Sequence, residues 1–215
     1  MQPILRTLSV PALASALEGN LAEFLCYYGR APGARLHRDA TVTWALTGIR
    51  EPFFNAVVRT SLPPDHLDAA IDVTLAPFVA RGVPMLWWVT PSTRPADLGE
   101  RLEAHGLRYR GEGPGMAASL DTLPEDDAAP EGFAVEEVTD VVTLLEWMRT
   151  NEEAYSPGAS QADVTYVAVE SSLGFGAHVP YRRFLGRLNG TPVATAALFL
   201  GAGVAGLYAV ACLST

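Results

Sequence analysis

The feature that most constrains this chain is an Asn-Gly pair set between two apolar runs. Residues 181–188 (YRRFLGRL) read as a strand, Asn189-Gly190 as a turn, and residues 191–200 (TPVATAALFL) as the returning strand. Asn-Gly favours a two-residue hairpin because both positions tolerate the positive φ that a type I′ turn demands. Gly201-Ala202-Gly203 is a second turn, and residues 204–213 (VAGLYAVACL) read as a third strand. The three form a meander that ends almost where the sequence ends, at Ser214-Thr215.

Upstream, residues 10–28 place Leu13, Leu17, Leu21, Phe24, Leu25 and Tyr28 at helical spacing, with Ser9 to cap and Gly29 to stop. Residues 41–46 alternate, with Val42, Trp44 and Leu46 on one face, and residues 53–58 form a second strand. Pro63-Pro64-Asp65 opens a helix running to about Ala80, which Gly82 ends. Residues 85–89 (MLWWV) are wholly apolar, the pattern of a strand buried on both faces. A helix over 96–105 stops at Gly106, and 107–111 and 116–120 read as two further strands. Residues 123–132 (LPEDDAAPEG) are acidic, proline-bearing and without apolar period, so they read as a linker. Beyond it come a strand at 133–138 and helices at 141–154 and 161–173. The expected organisation is a domain at 1–122, the linker, and a second domain at 133–215.

At 215 residues there is room for one large domain or two small ones. The net charge of −9 argues against a nucleic-acid binder, whose affinity needs a basic surface, and against an anionic membrane surface. All 15 basic residues are arginine. The two cysteines, Cys26 and Cys212, lie far apart in apolar runs and read as free and buried, in keeping with a reducing compartment. No Cys/His cluster has metal spacing. No signal pattern opens the chain, and no apolar run approaches the ~20 residues that span a bilayer. Cytoplasm is therefore the expected location. His37, His66, His105 and His178 are scattered and suggest no triad, and Trp44, Trp87 and Trp88 read as core.

The run GRLNGTPVATAALFLGAGVAGLYAVACL resembles strands two to four of the GCN5-related N-acetyltransferases. The order strand-helix-helix-strand-strand-strand over 133–213 matches the first half of that fold. The N-terminal half is similar to it as well: 41–58 to strands three and four, 65–80 to the helix after the phosphate loop, 85–89 to strand five and 96–105 to the fourth helix. LEAHGLRYRGEG at 102–113 is similar to the family's closing Y-x-x-L-G-F-x-x-x-G-E. The resemblance implies an α/β (α+β) fold of acyl-CoA N-acyltransferase type, with a mixed, mostly antiparallel central sheet flanked by helices. It implies a tandem: a degenerate N-terminal copy, then half of a C-terminal copy that stops before the R-x-x-G-x-G/A loop for coenzyme A.

The activity so implied is acetyl transfer from acetyl-CoA, as substrate, to a small-molecule amine, with no metal. The N-terminal segment that matches the phosphate loop, residues 59–66, has no glycine. Pro63 and Pro64 remove donors, and Asp65 sets a negative charge where phosphate would lie. Leu102 stands where the family often has a tyrosine acid. The first copy is therefore not expected to bind the cofactor in the usual manner. In the C-terminal copy, carry-over sets the backbone of Val210, Ala211 and Cys212 beside the acetyl-pantetheine arm. Glu136, Glu137, Glu152 and Glu153 are candidate bases, and Glu153, in the region that often shapes the family's substrate pocket, is the one taken forward. Tyr208 is the second candidate catalytic residue. With no phosphate loop, the chain is expected to be inactive or nearly so. The alternative is a non-catalytic ligand-binding or interaction module, with a homodimer formed through the terminal strand edge. A third is an unrelated α/β protein with a coincidental meander.

Overall fold

The computed structural model describes residues 4–123, 129–157 and 164–213. The chain forms two compact units, Ser9–Met116 and, together, Met1–Leu8 with Ala117–Thr215. Each holds one four-stranded sheet. Residues 124–128 of the expected linker and the expected start of the helix at 161–163 lie outside the described residues, as do 214–215.

The N-terminal unit opens with helix α1, Val10–Tyr28, which has Pro11 in its first turn and Gly29 at its end. Strands β1 (Arg35–Arg38), β2 (Val42–Leu46) and β3 (Asn55–Thr60) form an antiparallel meander. Helix α2 (Leu67–Arg81) leads back to β4 (Leu86–Trp87), which lies parallel to β3, and α3 (Leu98–Ala104) follows. Strand β2 is buried along its whole length, because helices cover both sides of the sheet. Val42, Trp44 and Leu46 pack with Val57 and with Phe78 of α2. Ala45 points the other way, under Gly29 at the end of α1. Leu62, Leu67, Ile71, Leu98 and Leu102 form a second cluster between α2 and α3.

The connection between β2 and β3 is long for a hairpin, and one buried side chain holds it. Asn55 accepts from the Thr47 and Gly48 N–H groups, both at 3.1 Å, and donates to Ile49 O at 2.7 Å and Pro84 O at 3.1 Å. An irregular loop leaves backbone groups without ladder partners, and this amide supplies them.

Several expectations change here. Residues 107–111 and 116–120 are not strands; only a short 3-10 turn, Leu120–Thr122, breaks an irregular stretch in which Tyr109 and Met116 are exposed. The glycines at 111, 113 and 115 and Pro114 deny that stretch a ladder. Helix α2 begins at Leu67, after Pro63 and Pro64, because His66 sits at φ 67°. The apolar run at 85–89 yields a strand of two half-buried residues. Strand β1 is polar (RLHR) and has no alternation to betray it.

The C-terminal unit is a continuous antiparallel sheet, in the order β5 (Phe133–Glu137), β6 (Tyr181–Leu188), β7 (Thr191–Gly201) and β8 (Val204–Cys212). Asn189 (φ 50°) and Gly190 (φ 83°) turn β6 into β7 in the left-handed region, as their chemistry requires. Between β5 and β6 run α4 (Val141–Tyr155) and α5 (Val164–Ser172). Asp140 caps α4 by accepting from the Thr143 N–H at 2.8 Å.

Helix α4 packs across β6, β7 and β8. Leu144, Trp147 and Met148 on the helix are buried, as are Tyr181, Leu185, Ala197 and Phe199 on the strands. Burial of the larger of these side chains stabilises by roughly 1.5–3 kcal/mol each. The same layer holds a charge pair. Arg183 Nη1 donates to Glu170 Oε2 at 2.6 Å, and the two side chains are 1% and 0% exposed. Arg183 also donates to Gly174 O and lies over the rings of Tyr181 and Phe175. Toward the sheet's other end, Arg187 joins Glu136 of β5 to Glu146 of α4. Cys26 is buried, as expected, but Cys212 is exposed, because it faces away from the helices near the end of β8.

Candidate active site

Three side chains of α4, one turn apart, reach the sheet. Trp147 Nε1 donates to Ala196 O at 3.2 Å. Asn151 Nδ2 donates to Thr195 Oγ1 at 3.0 Å and to Ala209 O at 3.3 Å. Tyr155 donates its hydroxyl to Val210 O at 3.1 Å. The spacing i, i+4, i+8 puts all three on one stripe. The helix thus moves across the sheet from β7 to β8 as it rises.

They meet at a break in the ladder. Tyr208 pairs with Ala197 and Ala211 with Thr195, so Ala209 and Val210 together oppose Ala196. This is a β-bulge. Ala209 has φ 50°, a left-handed conformation that costs a residue with a Cβ about 1 kcal/mol or more. Before the bulge, Ala205 and Leu207 are exposed; after it, Val210 and Cys212 are. Among the described residues, β8 is the outer strand of its sheet and pairs with β7 alone. An extended ligand bearing secondary amides fits such an edge, because main-chain donors and acceptors at strand spacing are what it needs.

The expected residues fall as follows. Val210 and Cys212 are exposed, and Ala211 is half-buried. Tyr208 is half-buried on the helix-covered face, and burial holds its phenol pKa well above the ordinary value. Glu153 is exposed and lies two helical positions on from Asn151, turned away from the sheet. Glu152 is half-buried on the flank of α4, and burial raises its carboxyl above the usual range. Glu137 and Glu136 are engaged by arginines: Arg182 Nε donates to Glu137 at 2.8 Å, and Arg187 Nε to Glu136 at 2.7 Å. The hydrogen bond from Arg182 holds Glu137 below its ordinary pKa. Glu137 is thereby a poor base, and Glu136 is held in an ion pair with Arg187. Asn151, Thr195 and Tyr155 were not among the expected residues. The stripe Trp147–Asn151–Tyr155 was the signal, since a polar residue stands on it where an apolar one belongs.

In the N-terminal unit the corresponding place is filled by the chain itself. Strand β3 also has a register break, opposite Thr43 and Trp44. Its outer edge, however, receives Trp88 N on Val57 O at 2.9 Å and Arg94 N on Thr60 O at 3.1 Å. Leu62 N returns to Arg94 O at 3.0 Å. Trp87 Nε1 donates to Thr60 Oγ1 at 2.9 Å. Leu102 is core.

Among the described residues, no group of three or more His, Cys, Asp or Glu side chains is placed to hold a metal ion. No described helix is long and apolar enough to cross a membrane.

No protein-family model matches the chain, and no curated protein matches it. Among solved structures it is similar to a GCN5-related N-acetyltransferase from Kribbella flavida, with a TM-score of 0.61, 18% identity, and coverage of 96% of this chain and 74% of that one. It is also similar to a functionally unknown conserved protein from Staphylococcus epidermidis ATCC 12228, with a TM-score of 0.49, 10% identity, and coverage of 83% and 71%. The first likeness is one of fold: mostly antiparallel sheets flanked by helices, in the manner of an acyl-CoA N-acyltransferase.

Proposed function

We propose that the C-terminal unit binds the acyl-pantetheine arm of acetyl-coenzyme A along β8 and is built to transfer its acetyl group to a small amine, with turnover by this chain low because no phosphate loop secures the cofactor. The observation that carries this reading is the bulge at Ala209–Val210 on the outer strand, beside a helix that presents polar side chains to it. The cofactor supplies the acetyl group as a thioester. The chain's own part is to hold and polarise. The main-chain N–H of Val210, at the bulge, faces the acyl carbonyl, where a fixed donor stabilises developing negative charge, while Ala211 stays paired with Thr195 in the ladder. Glu152 takes the ammonium proton of the acceptor; its raised pKa brings it nearer the operating range of a base. Glu153, exposed one position on, attracts the cationic substrate and is the alternative base. Tyr208 keeps its proton and gives it to the departing sulfur. The amine nitrogen bonds to the acyl carbon as the carbon–sulfur bond breaks.

The N-terminal unit has a different role on this reading. Its β3 edge is occupied by Trp88 and Arg94, so it serves as a non-catalytic companion. Titration of the full chain with acetyl-CoA by calorimetry tests the proposal. Saturable binding is expected, weakened at least tenfold by Val210→Pro, which removes the proposed donor at the bulge. Absence of saturable binding up to millimolar ligand sinks it.

A further inference from the structure

We infer that Asn151 and Thr195 act as positioning residues that lock the β8 bulge in the form that receives the acyl carbonyl; the inference rests on the cofactor reading just given. Among the described residues, the non-glycine positions with positive φ are His66, Asn189, Ala202 and Ala209. The first three stand in turns or at a helix start, and Ala209 alone lies inside a strand. Such a residue reverts to ordinary extended backbone unless something holds it. Two donors hold this one. Thr195 Oγ1 donates to Ala209 O at 2.9 Å, and Asn151 Nδ2 donates both to that oxygen, at 3.3 Å, and to Thr195 Oγ1, at 3.0 Å. The hydroxyl therefore accepts from the amide and donates to the carbonyl, which fixes its proton.

Neither residue is the choice that packing would make. Thr195 is 4% exposed and stands between the aliphatic positions of β7. Asn151 sits in a helix interior, where its side chain is a poor helix former, on the stripe that Leu144 and Trp147 use for packing. Polar groups at apolar positions, converging on one strained carbonyl, break the local rule at one point, and such breaks gather at working sites. Ala209 O and the Val210 N–H belong to one planar peptide and point opposite ways, so holding the oxygen toward α4 aims that N–H away from the helix in a set direction. Tyr155, on Val210 O, holds the peptide that follows it. The bulge of β3 has no positive-φ residue, and its edge is filled by the chain itself. The lock is found on the strand that, among the described residues, is the outer one of its sheet.

The test uses the full chain, 15N-labelled, with Thr195→Val, Thr195→Ser and Asn151→Leu. Two quantities are read for each: amide shifts and hydrogen exchange at 208–212 without ligand, and affinity for acetyl-CoA. In Thr195→Val the Ala209 and Val210 amides are expected to move and exchange faster, with affinity down at least tenfold and a small change in Tm. Asn151→Leu behaves likewise. Thr195→Ser, which restores the hydroxyl, returns both readouts to within about twofold of the parent. Unmoved amides in both Thr195→Val and Asn151→Leu overturn the lock, and so does moved backbone with full affinity. If the parent chain binds no acetyl-CoA while its bulge amides move in the variants, the cofactor reading fails and the pair is purely architectural.

Discussion

The two units contain the same three-strand meander, and they differ in what lies on the far side of its third strand. Strand β3 is flanked by β4 and by the 90–95 segment, which uses its main-chain groups as a continuing sheet would. Strand β8 carries a comparable register break but is the outer strand among the described residues. One meander is closed along its third strand by its own chain; the other is met by Leu5 N on Gly203 O at its last turn, and beyond that, among the described residues, β8 remains the outer strand. The fold therefore does not decide whether such a strand receives a ligand; a few hydrogen bonds along one edge do.

The difference extends to the layers beneath, and the largest predicted effect lies there. The N-terminal sheet rests on an apolar cluster around Trp44 and Phe78, whereas the C-terminal sheet rests partly on the buried Arg183–Glu170 pair. Glu170→Ala strands a guanidinium in the interior and is expected to cost about 3–5 kcal/mol, read as a lower urea midpoint. The double replacement Glu170→Leu with Arg183→Met should recover much of that loss. A double variant as unstable as the single one would show that Arg183 acts through its rings and carbonyls more than through the charge pair.

Next comes the connection before each third strand. The Gly201-Ala202-Gly203 turn needs no hub, but the longer loop before β3 depends on Asn55. Asn55→Ala leaves several buried main-chain groups without partners and is expected to cost about 2–3 kcal/mol, measured by denaturation. Trp87→Phe removes the hydrogen bond to Thr60 that helps close β3. About 1 kcal/mol of lost stability is expected, with faster exchange of the Arg94 amide; unchanged exchange there would mean that the edge is closed by backbone pairing alone.

The smallest effect is a pH dependence confined to the N-terminal unit. His105 lies 3.2 Å from Asp68 and 2.8 Å from Asp72, and the hydrogen bond to Asp68, with help from Asp72, raises its pKa above 6.5. A raised histidine stabilises the fold fully below its unfolded pKa, and that contribution is lost as pH rises through the folded value. His105→Gln should thus reduce stability by less than about 1 kcal/mol at pH 5.5 and by nearly nothing at pH 8.5. An equal loss at both pH values would assign the effect to packing.

The C-terminal unit was more legible than the N-terminal one, for physical reasons. Alternating apolar residues and an Asn-Gly turn mark β6, β7 and β8, since each signal reflects a local requirement. Strand β1 has polar side chains at a sheet edge, so nothing local announces it. Short apolar stretches misled at 107–120, where the glycines and proline between them deny a ladder. At the site, the strand edge was visible in the meander, but the carboxylates were not separable by spacing. Arg182 and Arg187 occupy Glu137 and Glu136 across strands, and burial distinguishes Glu152 from its neighbour Glu153 on a helix flank. The grip of Asn151 and Thr195 on Ala209 joins three elements and exists only once they have packed.

The cations that tie β6 to its neighbours, Arg182, Arg183 and Arg187, are all guanidinium groups. A guanidinium stays protonated through the physiological range and has no free nitrogen lone pair to offer an electrophile. A sheet built this way does not react with activated thioesters at its own structural cations, whereas one pinned by primary amines would be progressively acylated and lose its charge pairs. In a sheet proposed to hold an acyl donor, guanidinium ties keep the scaffold from becoming a substrate.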